Sequence, residues 1–179
     1  MLSPQSLAEA DRRIVAAWAA DCAERALAVF EAEAPEDDRA RDAIARTRAF
    51  ARGELSAAGE IKRRFVAGRA AHSAASPAGA AAARSAAQAA GVAHMGAHAL
   101  GAAAYAARAA ALTAPGNPTA AADELRWQLD RMTASVAVAL RRLPPLGDDS
   151  AGPLGPGLLA RGDLAAHIEA IQGHLAATA

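Results

Sequence analysis

An alanine-rich stretch with almost no charge constrains the fold of this chain more than any other feature. Residues 70–112 carry only two charged side chains, Arg84 and Arg108, and 25 of the 45 residues in 70–114 are alanine. Alanine has the highest helix propensity. A helix that is apolar on every side either lies at the centre of a bundle or spans a membrane. The sequence therefore predicts a helical segment that has no solvated face.

The length and content of this segment favour the bundle over the membrane. The 23 residues between the two arginines could span a bilayer. However, they consist mainly of Ala and Gly, which drive insertion weakly, and they contain Gln88, His94 and His98. One unbroken helix over 78–112 would be roughly 50 Å long, longer than a domain of this size. We expect a break near Gly91 or Gly96, and we expect glycines on this segment to be buried where helices approach closely.

Apolar residues at helical spacing predict further helices on both sides of this segment. The first of these helices begins at a capping box that starts with Ser6. The helix that follows the alanine-rich segment uses Asn117 as its N-cap. The last begins at Asp163, which we also interpret as a cap. The predicted ranges, in chain order, are 6–34, 36–53, 56–75, 117–143 and 163 onward.

The predicted fold is a single all-α domain of five to seven helices over residues 1–179, since no apolar pattern alternates with period two. Residues 144–157 contain four prolines and four glycines, and are predicted to be an extended linker before the C-terminal helix.

Charge and cysteine content exclude several functions. The formal net charge is zero and the isoelectric point is near 7.0, which disfavours binding to nucleic acid or to an anionic membrane. The single cysteine, Cys22, has no partner for an intramolecular disulfide and is predicted to be a small buried residue. The N-terminus lacks the pattern of a signal peptide. We therefore expect a soluble, cytoplasmic protein.

One face of the alanine-rich segment carries the candidate chemistry. If the helix were continuous, His94, His98 and Tyr105 would share a face, and they are the candidate catalytic residues. With His72 from the preceding helix, the two histidines are candidate ligands for a divalent metal. The pattern lacks the glutamate of a zinc peptidase motif, and no Glu-x-x-His occurs. Structural packing of the histidines is the alternative, and no cofactor is predicted.

Three strings of residues resemble a known family. They are Ala17-Trp18-Ala19-Ala20-Asp21-Cys22-Ala23-Glu24, the acidic string over 35–44 that leads to Arg52-Gly53-Glu54, and the segment from Ala93 to Ala106. Together they resemble a bacterial, largely actinobacterial family described as putative immunity proteins. The likeness covers about residues 14–112, and 124–128 is similar to a later helix of that family. The resemblance implies an α-helical cytosolic protein that protects against a toxin.

Two functions follow from these observations. The first is a helical immunity or accessory protein that acts by binding a partner, such as a cognate toxin or another protein, without catalysis. The second is a small helical enzyme or a metal- or ligand-binding protein that uses His94 and His98. The sequence does not define the oligomeric state and is compatible with a homodimer. The lack of a catalytic motif favours the first function.

Overall fold

A computed structural model describes residues 3–63 and 65–178, and within these residues all regular structure is helical. The predicted all-α, single-domain fold is confirmed. Three short 3-10 helices span Pro4–Ser6, Ala67–Ser73 and Leu158–Ala160. The α-helices are α1 (Glu9–Glu33), α2 (Arg39–Ala51), α3 (Ala57–Arg63), α4 (Pro77–Gly91), α5 (His98–Thr113), α6 (Ala120–Asp130), α7 (Ala134–Leu140) and α8 (Gly162–Ala177).

Helices α1, α4 and α5 form the centre of the bundle. Helix α1 packs against both α4 and α5, and it also contacts α2 and α7. Its apolar positions recur at helical spacing, and the buried residues include Val15, Trp18, Cys22 and Phe30. Cys22 is completely buried, as predicted, and burial raises the pKa of its thiol well above the ordinary value. This thiol is therefore a packing residue and not a nucleophile.

The alanine-rich segment forms a helical hairpin of α4 and α5. Helix α4 ends at Gly91 and α5 begins at His98, so the predicted break is confirmed. Because their side chains are small, the two helices approach closely enough for Ser85 Oγ to donate to the carbonyl oxygen of Ala102 at 2.7 Å. No helix in the described ranges is long and apolar enough to cross a membrane.

The start of the bundle differs from the predicted capping box. Ser6 ends a short 3-10 helix, and Ala8, which has no side-chain acceptor, precedes α1. Leu7 has a φ of 58°, which is rare for a residue with a side chain and which separates the two helices. The capping box prediction is therefore wrong, because the chain turns between Ser6 and Glu9.

Two predicted helices are interrupted. The third was expected to continue to residue 75, but α3 ends at Arg63, and Phe65 and His72 beyond it are both exposed. The pattern over 117–143 forms α6 and α7 instead of one helix. Thr133 interrupts it, because its hydroxyl accepts the N–H of Val136 at 3.3 Å and caps α7. Thr119 precedes α6 without a side-chain cap bond, and the predicted Asn117 caps the turn that leads into the helix, because its Oδ1 accepts the N–H of Thr119 at 3.0 Å.

The C-terminal part of the chain packs on the bundle. Residues 144–157 contain no helix, yet Leu154 is completely buried. Helix α8 packs against α5 and buries Leu164, Ile168, Ile171 and Leu175, the inward positions that the sequence predicts. Asp163 is not a helix cap as predicted. It forms an ion pair with Arg108 of α5.

Candidate functional site

The break after Gly91 separates the histidines of the predicted face. His98 is the first residue of α5, whereas His94 lies exposed in the turn before it and His72 lies exposed in the 3-10 helix Ala67–Ser73. No group of three or more His, Cys, Asp or Glu side chains in the described residues is close enough to hold a metal. A catalytic or metal-binding role for His94 and His98 stays a prediction.

His98 joins the two arms of the alanine-rich hairpin. Its Nδ1 lies 2.7 Å from Gln88 Oε1 of α4, and its ring packs against the backbone of Gly91. Burial, and to a smaller extent the nearby charge of His94, lower the pKa of His98 to about 4. The ring is therefore neutral at pH 7, with Nδ1–H donating to Gln88 and Nε2 left as the basic nitrogen.

Tyr105 lies in the core beside a charged pair. Its side chain is 2% exposed, and burial raises the pKa of its hydroxyl. The guanidinium of Arg108 lies 5.6 Å from the centre of the Tyr105 ring and donates from Nε to Asp163 at 2.8 Å. These hydrogen bonds from Arg108 lower the pKa of Asp163. The ion pair joins α8 to α5, and burial favours the protonated form of Tyr105, whose catalytic role stays a prediction.

A different surface has the features of a binding site. Two adjoining concavities, of about 380 and 360 Å³, lie between α1, α2, α6 and α7 and share Asp21 and Arg131. We call them together the α1–α6 groove. Its other lining residues are Arg13, Ile14, Ala17, Trp18, Glu24, Arg25, Arg48, Ala51, Arg52, Trp127, Thr133, Ser135 and Val136.

Trp127 is the aromatic side chain that the groove exposes. It is only partly buried, and the guanidinium carbons of Arg25 and Arg131 lie 4.5 and 5.1 Å from its ring centre. Guanidinium groups at this distance are attracted to the face of an indole ring. Trp127 thus has an ordered position at the surface without being withdrawn into the core.

Helix α6 is fixed to the core directly beneath Trp127. The buried indole N–H of Trp18 donates to the carbonyl oxygen of Gln128 at 2.8 Å. The amide of Gln128, also buried, donates to the carbonyl oxygen of Ala103 at 3.2 Å and to Glu124 at 3.1 Å. These bonds join α6 to α1 and α5, so the groove has a rigid floor.

Ion pairs across the groove differ from those that the sequence suggested. Asp21 and Arg25 are four residues apart, a spacing that favours an ion pair within α1, but Asp21 binds Arg48 of α2 at 3.0 Å. Arg25 instead binds the buried carboxylate of Glu124 at 3.3 Å. The helical spacing allowed the first pair, but the neighbouring helices offer partners that the sequence does not place.

Four of the five arginines that line the groove have a carboxylate partner. Besides Arg25 and Arg48, Arg13 binds Glu9 at 2.6 Å and Arg52 binds Glu54 at 2.6 Å. Arg131 is the exception, because no carboxylate in the described part of the chain lies within 4.0 Å of its side chain. Among the described residues, Arg131 is therefore the groove arginine whose guanidinium has no carboxylate in contact, whereas Arg48 contacts two, Asp21 and Glu24.

The sequence alone does not reveal this groove. In the sequence, Trp127 stands out only as part of a string that resembles a known family. A signal was present, since Trp127 and Arg131 are one helical turn apart, and Trp and Arg are enriched at protein interfaces. The contribution of Arg25 depends on how α1 packs against α6, which the sequence does not show.

Comparison with known proteins gives one match. The family model described as Imm-5 like putative immunity protein matches residues 5–135. No curated protein and no solved structure has a significant match to the chain. The matched residues run from the start of the bundle to the first residues of α7, and they contain every residue that lines the α1–α6 groove except Val136.

Proposed function

The chain belongs to the Imm-5 like putative immunity protein family, and on this premise we propose that it is a cytoplasmic immunity protein. It acts by binding a partner protein of the toxin type, and it does not catalyse a reaction on that partner. The α1–α6 groove is the surface that the partner covers. The single observation that carries this proposal is the position of Trp127 in that groove.

The chemistry of the groove supports protein binding. Tryptophan and arginine are the residues that most often dominate the energy of protein interfaces, especially at the centre of a well-packed patch. Here Trp127 lines the smaller concavity together with Arg25 and Arg131, which both lie over its ring. Gln128 and Trp18 fix α6 to the core. Binding of a partner would therefore not carry the entropic cost of ordering this surface.

The location of the groove also supports the proposal. The family model covers α1 to α6, while most of α7 and all of α8 lie outside it. A surface that serves the function of the family should lie within the matched residues, and the groove does. The charged pair of Arg108 and Asp163 depends on α8 and lies partly outside them.

Site-specific crosslinking tests the proposal. A photoreactive phenylalanine analogue at position 127 should form a covalent adduct with the partner in the strain that produces the protein. The captured protein should arrest growth when it is expressed alone in a second host. Co-expression of the wild-type chain should restore growth, and co-expression of Trp127→Ala should not.

A matched variant controls for general damage to the protein. Leu158→Ala removes another exposed apolar side chain, 60% exposed and far outside the matched residues. It should restore growth as well as the wild type does. If Trp127→Ala folds normally and also restores growth, the groove is not the binding surface. If the captured protein is harmless alone, the immunity function is wrong.

A further inference from the structure

We infer that the partner presents a carboxylate to Arg131 together with an apolar side chain that enters the cleft between α1 and α7. This inference rests on the proposed function and adds the chemistry of the partner. It follows from the charges and the lining of the two concavities, which meet at Arg131.

The ion-pair contacts of the groove single out Arg131. Arg25 contacts Glu124, and Arg48 contacts both Asp21 and Glu24. Arg131 has its π contact with Trp127 and no carboxylate partner among the described residues. The neighbouring Asp130 is exposed, but it does not line either concavity. A carboxylate from a partner is the group that would complete the pairing in the groove.

Other arginines without ion pairs lack this setting. Arg69, for example, is exposed on the 3-10 helix Ala67–Ser73, and it lines neither concavity. An isolated surface charge of this kind is solvated and contributes little to recognition. Arg131 differs because Trp127 holds it at the junction of the concavities, so a partner that covers the indole would also exclude water from the guanidinium.

The larger concavity provides the apolar surface against which the partner's apolar side chain would pack. Its walls include Ile14 and Ala17 of α1, Ala51 of α2 and Val136 of α7. Arg131 lies at one side of these residues and Trp127 lies beyond it, in the smaller concavity. A segment with an acidic residue next to a leucine-sized side chain matches this order of polar and apolar surface.

The same surface does not suit a nucleic acid. Asp21 and Glu24 line the smaller concavity beside Arg131, and a chain of phosphates would lie against both carboxylates. The protein also carries no net positive charge to attract a polyanion. A single carboxylate that pairs with Arg131 meets less of this repulsion than a chain of phosphates does.

A nuclear magnetic resonance titration of the indole N–H groups tests the inference. The two tryptophans give an internal control, because Trp18 is buried and hydrogen-bonded while Trp127 is partly exposed. The probe is a capped heptapeptide, Gly-Ser-Glu-Leu-Glu-Ser-Gly, compared with versions that carry Gln or Lys in place of both Glu residues. An eight-nucleotide thymidine strand is the fourth ligand.

We expect the acidic peptide to shift the Trp127 signal saturably and to leave the Trp18 signal unchanged. The Gln peptide should bind about three- to fivefold more weakly, in keeping with the loss of one solvent-accessible ion pair. In Arg131→Gln the two peptides should bind equally, because the residue that distinguishes them is gone. The matched variant Arg69→Gln should preserve the difference.

Four results would overturn the inference. They are equal binding of the acidic and Gln peptides to the wild type, a difference that persists in Arg131→Gln, an equal response to the thymidine strand, and no response to any peptide. The proposed function fails separately, if Trp127→Ala still protects against the captured protein. If Trp127→Ala abolishes protection but Arg131→Gln still distinguishes the acidic and Gln peptides, the function stands and the acidic partner is wrong.

Discussion

Single residues of the alanine-rich core have little space around them, and Gly96 is the clearest case. A methyl group on its α-carbon would lie 2.7 Å from Cγ and 3.1 Å from Cβ of Leu7. The backbone cannot easily move away, since Gly96 N–H donates to the carbonyl oxygen of Ser6 and Ala97 N–H donates to that of Gln5, both at 3.1 Å. The expectation that Gly91, Gly96 and Gly101 are buried is confirmed.

We predict that Gly96→Ala lowers the free energy of unfolding by about 1–3 kcal/mol, because the added methyl overpacks the contact with Leu7. Urea denaturation measures this change. The matched control is Gly173→Ala on α8, where no atom lies within 4 Å of the new methyl group. That variant should be more stable by about 0.5–1 kcal/mol, since alanine favours the helix. Equal denaturation midpoints for Gly96→Ala and the wild type would show that Leu7 moves aside without cost.

For single residues, the sequence predicts which side chains are buried better than it predicts which charged side chains form ion pairs. The inner positions of α2, such as Ile44 and Phe50, are buried as their helical spacing indicates. The partner of Asp21 was not predictable, because the spacing within α1 favours Arg25, whereas the packing of α1 against α2 brings Arg48 to its carboxylate. Periodicity locates a face of a helix, whereas an ion pair depends on the neighbouring helix.

Breaks between elements could be predicted only where the sequence marks them. The turn between α4 and α5 follows Gly91 and contains Gly96, and it was predicted from them. The turn between α6 and α7 was missed. Leu129, Met132 and Val136 keep helical spacing across it, and Thr133 is a cap only because the chain turns there. Threonine also occurs inside helices, so the presence of a residue that can cap a helix does not by itself locate a break.

The junction of α4 and α5 should respond to acid through His98. Its pKa is about 4 in the folded protein, compared with an ordinary value of about 6.5. Between these values the unfolded chain binds a proton and the folded protein does not, so stability is complete above pH 6.5 and declines as the pH falls towards 4. We predict a loss of about 1–2 kcal/mol from this group between pH 7.5 and 5.0, allowing for the partial exposure of the ring.

The variant His98→Gln isolates this contribution. Glutamine can still hydrogen-bond to Gln88 but does not titrate, so its stability should fall less steeply between pH 7.5 and 5.0 than that of the wild type. Urea denaturation at several pH values measures the difference between the two slopes. Identical slopes, or a His98 ring signal that titrates near pH 6.5, would show that the ring is not held neutral by burial.

The whole molecule consists of a family bundle and a C-terminal layer that the family model does not cover. The bundle, including α1 to α6, lies within residues 5–135, and α8 packs on it through α5. Composition predicts that residues 144–157 lack helix, but it does not reveal which contacts hold this segment against the bundle. The anchor is Gln5 near the N-terminus, a polar residue that is 1% exposed and that no periodic pattern marks.

Gln5 joins the N-terminal part of the chain to this layer by three hydrogen bonds. Its amide nitrogen donates to Asp149 and to the carbonyl oxygen of Ala151, both at 2.7 Å. Its amide oxygen accepts the N–H of Leu154 at 2.9 Å, where Leu154 is fully buried. Because a buried group without a partner is costly, this side chain determines whether the segment stays packed.

We predict that Gln5→Leu lowers the free energy of unfolding by about 2–3 kcal/mol, because the Leu154 N–H and the Ala151 carbonyl lose their buried partner. Hydrogen exchange should become much faster at the Leu154 amide, while the indole N–H of Trp18 beneath the α1–α6 groove stays protected. Gln5→Glu is the matched variant. It keeps an acceptor for Leu154 but sets a second carboxylate against Asp149, so its stability should recover as the pH falls and the two acids share a proton. Unchanged exchange at Leu154 in Gln5→Leu would mean that the segment is held by the burial of Leu154 alone.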